Sequence, residues 1–121
     1  MASYNKIQAF VEHVAEKVHN LGADAHTIAL TTLAEVPVAS TDAVIADIVQ
    51  ISYTNLSTRV IGAVTSSAQT SGTYKLVLPD LVLTASGAVA TFREVVWYND
   101  TPTSPADPLI AWWDYGSDVT L

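Results

Sequence analysis

The groups able to do chemistry in this chain are three histidines, twelve Asp and Glu residues and a large set of hydroxyl side chains. In HVAEKVH, His13, Glu16 and His19 follow one another at three-residue intervals, and imidazole and carboxylate are both zinc ligands. On one continuous helix, His13 and His19 stand roughly 9 Å apart along the axis and on different faces, too far for a single ion to bridge. The spacing therefore predicts a solvated helix face, and His26 has no partner near it in sequence. Glycoside hydrolysis requires two carboxyl groups across a cleft, and Glu94, Asp100, Asp107, Asp114 and Asp118 are the acids that would supply them. Nothing in their spacing singles out one pair. No serine lies in a G-x-S-x-G elbow and there is no cysteine, so no nucleophile is marked. Asp100 and Asp107 flank a proline-rich loop that could offer oxygen ligands to calcium, but EF-hand spacing is absent and turn formation accounts for both. The glycosylation sequons at Asn55 and Asn99 are chance matches in a chain that opens without a secretion signal.

The densest stretch is DPLIAWWDYGS, from Asp107 to Ser117. As a strand it points Leu109, Ala111, Trp113 and Tyr115 one way and Ile110, Trp112 and Asp114 the other, so both faces are apolar. The companion TFREVVWYN has Phe92, Val96 and Tyr98 on one side and Val95 and Trp97 on the other. At ~25 cal/mol/Å², burying an aromatic ring of ~150–250 Å² is worth about 4–6 kcal/mol as an upper bound. One good helix covers one face of such a sheet, so the other should meet a second sheet, a neighbouring subunit or a ligand such as a sugar. In the sugar case Trp112 and Trp113 would stack on the ring and Asp114 would accept its hydroxyls.

The elements that must position these residues start with a stripe of Ile7, Phe10, Val11, Val14, Val18 and Leu21, which predicts an amphipathic helix capped by Ser3 or Asn5 and ended at Gly22. AHTIALTTL reads as a strand, and STDAVIADIVQI as a short helix after Asp42 or an irregular cover. From Asn55 onward TRVIGAV, GTYKLVL, LVLTA, VATFREVVWYN and PLIAWWDYG read as strands, while TSSAQTSGTY reads as a surface connection and NDTPTSPADP as a loop. The expected fold is α+β, a single domain spanning 1–121, with an N-terminal amphipathic helix packed on a mainly antiparallel β-sheet or β-sandwich.

Composition narrows the partners. Half of the residues are hydrophobic and 14% are charged, which places the chain outside the disordered regime. A net charge of −7 repels phosphate backbones and anionic membranes, so neither nucleic acid nor membrane is expected as a partner. No cofactor is implied. Arg59, Lys75 and Arg93 are among the five cations and serve either a partner or, more simply, a local carboxylate.

QTSGTYKLVL, and YNDT followed by DPLIAWWDYGS, together with FVEHVAEKVHNLGADAHTIALT, resemble a family of small virion structural proteins of tailed bacteriophages. The resemblance covers nearly the whole chain. It implies a virion location, the major capsid protein or other virion subunits as partners, and a non-enzymatic role, first as a capsid decoration or cement protein. A tail, collar or head-fibre component and a virion-displayed carbohydrate-binding module are the alternatives. Family members often continue beyond the position of Leu121 with another strand, so a neighbour completing the sheet is expected, as is a homo-oligomer such as a trimer. The interface residues expected on this reading are Trp97, Tyr98, Trp112, Trp113, Tyr115 and Leu121.

Overall fold

The computed structural model describes residues 2–121. The chain is built mainly from antiparallel strands: β1 (Ser3–Lys6), β2 (His26–Thr31), β3 (Val60–Gly62), β4 (Ser66–Thr70), β5 (Thr73–Val77), β6 (Phe92–Asn99) and β7 (Leu109–Val119), with one short helix, α1 (Ala9–Ala15). Five strands form one sheet in the order β1-β7-β6-β2-β3, while β4 and β5 form a separate hairpin.

The β-branched and aromatic density of β6 and β7 makes them the centre of the sheet, and β2, buried at all six positions, is the third central strand. Directly opposite residues share a face. Thr31, Glu94, Asp114 and Ser3 therefore form one row across β2, β6, β7 and β1. On that face Ile7, Ala29, Val96, Tyr98, Leu109 and Trp112 make a core, closed by Ala9 and Phe10 of α1 and by Ala39, Ile45 and Ile48. On the opposite face Ile28, Leu30 and Phe92 make a second core, closed by Ile51, Tyr53, Leu56, Leu81 and Leu83.

Two irregularities decide which side chains reach which core. Trp97 pairs with Ala111 but Tyr98 pairs with Leu109, so Ile110 is an extra residue that turns Leu109 towards Tyr98 and away from Trp113. At the other end Glu94 pairs with Asp114 and Phe92 with Val119, so Arg93 faces four residues of β7 and Phe92 crosses to the second core. Strict alternation places both Leu109 and Phe92 on the wrong face.

The expected amphipathic helix is not what forms. α1 is seven residues long, buries none of them fully, and leaves Val11 and Val14 exposed. It ends because Lys17 takes a left-handed φ of 65° while its N–H bonds Val14 O and the Val18 N–H bonds His13 O, a Schellman closure. Three valines with stiff χ1 and no side-chain bond at the Gln8 cap leave little to extend it. Ser3 and Asn5 are in β1, not at a cap. Gly22 ends no helix; a Cβ there would lie 2.6 Å from Ser67 Oγ, so glycine admits the hairpin. The short helix expected after Asp42 is a 3₁₀ turn at Ile45–Asp47, where Asp47 Oδ2 accepts the Ala43 and Val44 N–H groups.

No second sheet layer of sandwich size is present among the described residues. TSSAQTSGTY is a hairpin rather than a connection, turning through Ser71 and Gly72 at φ of 51° and 82°, the signs a two-residue type I′ turn requires. Every residue of β4 is exposed. LVLTA is an extended cover, held by a bridge between Leu56 and Ala85, with Leu81 and Leu83 turned inward and Val82 outward. NDTPTSPADP is a loop as expected.

Candidate functional site

The sheet brings four aromatic side chains into one row across β1, β7, β6 and β2. Tyr4 meets Trp113 edge-on at 5.5 Å, Trp113 lies beside Trp97 at 6.3 Å with 29° between planes, and Trp97 meets His26 at 5.5 Å. The row sits on the face of the second core but beyond its cover: Tyr4 is 59% exposed, and Trp113 and Trp97 are half-buried. Beside it an apolar groove of about 420 Å³ is lined by Ile28, Ile61, Pro79, Leu81, Leu83 and Val95. The inner end of the row is fixed by hydrogen bonds. The Trp97 Nε1–H donates to His26 Nδ1 at 3.0 Å, and His26 Nε2, 2.9 Å from Leu21 O, donates to it in the neutral tautomer that satisfies both contacts.

Of the expected interface residues, Trp97 and Trp113 lie in this row, and Tyr115 and Leu121 are exposed at the far end of β7 and just past it. Trp112 and Tyr98 are not surface residues: each is 7% exposed in the first core, because the period of two sends them to the opposite face from Trp113 and Trp97. The Trp112–Trp113–Asp114 sugar site is split for the same reason. Tyr4 and His26 belong to the row and were missed. Tyr4 sits in a stretch read as a cap, and His26 becomes a partner only through strand pairing.

The acids fall into two groups. Glu94 and Asp114 lie opposite each other on neighbouring strands. Arg93 Nε donates to Asp114 Oδ1 at 2.9 Å and the Gly116 N–H donates to the same oxygen at 2.7 Å. These bonds hold the Asp114 carboxyl below the usual carboxylate range. Glu94 is fully buried, and neither of its oxygens has a partner among the described residues. Burial first, and the charge of Asp114 second, push its carboxyl up. A carboxyl with no exposed surface is out of reach of a substrate, which removes this pair as a hydrolytic centre. In the loop, burial and a hydrogen bond to Asp100 push the Asp107 carboxyl up, and Asp118 borders a shallow hollow with Leu33 and Phe92.

The histidine spacing argument fails because the helix stops. Reversal at Lys17 brings the His13 and His19 rings to 6.1 Å. Asn99 Nδ2, which also donates to Asp24 Oδ2 at 2.6 Å, lies 3.0 Å from His19 Nδ1 and makes it an acceptor. The proton of neutral His19 then sits on Nε2, so its buried free nitrogen is a donor rather than a metal ligand. Burial, together with the nearby His13, lowers the His19 pKa to about 4. Among the described residues no group of three or more His, Cys, Asp or Glu is placed to hold a metal ion. Arg93 serves a local carboxylate; Arg59 donates to Ile28 O at 2.7 Å and lies 3.7 Å over the Tyr53 ring; Lys75 is exposed on the hairpin. Among the described residues no helix is long and apolar enough to cross a membrane.

Compared with known protein families, with curated proteins and with solved structures, the chain matches none.

Proposed function

We propose that the chain is a non-catalytic structural subunit of a tailed-phage particle, a decoration or cement protein that bridges shell subunits by packing. The observation that carries this reading is the half-open row Tyr4–Trp113–Trp97 with the apolar groove beside it. Aromatic side chains held rigid by a sheet, left partly wet and continuous with a groove, have the character of an interface core. The resemblance of the sequence to phage virion proteins supplies the setting. On this reading a neighbouring subunit covers the row; the strand expected beside Trp113 is supplied by this chain's own β1, which pairs with Ala111–Asp114, so a neighbour's strand adds at the outer strands β1 or β3 and closes a homo-oligomer.

The copy number of the chain relative to the major capsid protein in purified particles tests this. A ratio near one, or one per few capsid subunits, supports decoration; about a dozen copies would move the protein to tail, collar or fibre; absence from particles would overturn the reading. One observation favours a second reading, display of a carbohydrate-binding surface: the exposed Tyr4 ring beside Trp113 is a stacking surface for a sugar. Glycan would then quench tryptophan fluorescence in the isolated protein, and Trp113→Ala would abolish the quenching.

A further inference from the structure

We propose that Glu94, buried opposite Asp114 with no partner of its own, is the member of this pair that holds a proton, and that losing it loosens the β6–β7 end of the sheet, making this end a pH-sensitive latch. The inference goes beyond the structural role proposed above and does not depend on it.

The geometry begins with the row Thr31–Glu94–Asp114–Ser3, four directly opposite residues on four adjacent strands. Opposed Cβ atoms in such rows lie about 4.5–5.5 Å apart, so two ionised carboxylates at Glu94 and Asp114 would repel at close range. Only one of them is hydrogen-bonded; Arg93 reaches Glu94 through its charge alone. Asp114 receives Arg93 Nε, a longer Arg93 Nη2 contact at 3.5 Å and the Gly116 N–H. Glu94 receives no hydrogen bond, and its strand neighbour Thr31, also fully buried, has an Oγ1 without a partner. A buried, unpaired carboxylate is the costlier of the two charges, so the proton goes to Glu94.

The charged groups around it are few. Arg93 is its neighbour on β6 and is held by Asp114; Asp118 stands near Arg93 on the same stretch of β7; the 3₁₀ turn Leu33–Glu35, packed on β6, carries Glu35, which is exposed. Ionisation of Glu94 puts a second negative charge beside Asp114 and competes for Arg93. What gives way is the weakest part of the ladder, the segment 115–118, where four residues of β7 face only Arg93. Tyr115 rides on that segment.

The test uses the full chain with ¹³C-labelled glutamate. Glu12, Glu16 and Glu35 are all exposed and serve as internal references for the Glu94 carboxyl signal in an NMR pH titration. Glu94 is expected to titrate clearly above the other three, and amide protection in residues 113–119 is expected to fall through the same midpoint. Glu94→Gln should abolish that fall. Should Glu94→Gln not fold, Asp114→Asn serves instead, moving the Glu94 midpoint down towards the references. Titration of Glu94 together with the exposed glutamates, unchanged protection in 113–119, or a midpoint indifferent to Asp114→Asn would each overturn the latch.

Discussion

Lowering the pH from 7 to 4 is expected to cost the wild-type chain about 3 kcal/mol more than it costs His19→Gln. The imidazole of His19 accepts from Asn99 Nδ2 at 3.0 Å, packs against Phe10 at 5.2 Å and faces His13 at 6.1 Å. A proton entering Nδ1 would break the Asn99 bond and set a charge beside a second histidine. The pKa is lowered from 6.5 to about 4, by burial first and His13 second, with Asp24 opposing. At 1.36 kcal/mol per pH unit, this difference between the unfolded and folded values is worth about 3 kcal/mol. The folded value lies below the unfolded one, so the cost is absent above pH 6.5. It grows as pH falls through 6.5, when the unfolded chain binds a proton the folded chain refuses, and is complete below about 4. Glutamine can accept from Asn99 through Oε1 but does not titrate. Its loss of ring contact with Phe10, about 1 kcal/mol, is the same at both pH values and cancels. Urea unfolding followed by tryptophan fluorescence at pH 7 and pH 4, on both proteins, isolates the effect because the carboxylates common to both drop out. Equal losses in the two proteins would refute the account of the His19 environment.

Lys17→Gly relieves a left-handed backbone at φ 65° and is expected to raise stability by about 0.5–1 kcal/mol in thermal melts, with α1 unchanged. Gly22→Ala drives a methyl to 2.6 Å from Ser67 Oγ and is expected to cost about 1–3 kcal/mol; adding Ser67→Ala should recover much of it, which a double-mutant cycle measures. Trp112→Ala is expected to cost about 3–5 kcal/mol of folding stability, whereas Tyr115→Ala on the exposed bulge should stay within about 0.5 kcal/mol. Trp113→Ala should weaken particle incorporation more than folding, and equal losses in both would place Trp113 in the monomer core.

The central strands were legible because their chemistry is redundant. TFREVVWYN and PLIAWWDYG are too apolar on both faces to be anything but the middle of a sheet, and within AHTIALTTL the strand His26–Thr31 is buried at every position. What sequence could not show depends on contacts between distant residues. Periodicity carried the helix to Leu21, but nothing local marks Lys17 as the residue that takes the left-handed turn. That single stop moved His19 next to His13 and Asn99, reversing the distance argument for the histidines. Similarly, the extra residues at Ile110 and at 115–118 are invisible until the strands are paired, and they decide the placement of Leu109, Phe92 and Tyr115. The aromatic site was half legible: Trp97 and Trp113 follow from alternation, while Tyr4 and His26 enter only because β1 and β2 occupy the two sides of the β6–β7 pair.

The pairing of Trp97 with Trp113 has an optical consequence. Two indoles 6.3 Å apart and tilted by 29° are close enough for their strong ultraviolet transitions to mix, and the tilt makes the mixed pair chiral. Folded protein should therefore carry a bisignate band in far-ultraviolet circular dichroism, in which two lobes of opposite sign flank the indole absorption. Trp112 lies on the other face, and the lobes belong to the cross-strand pair. They vanish when β6 and β7 slip in register, so the chain carries its own unlabelled gauge of strand alignment.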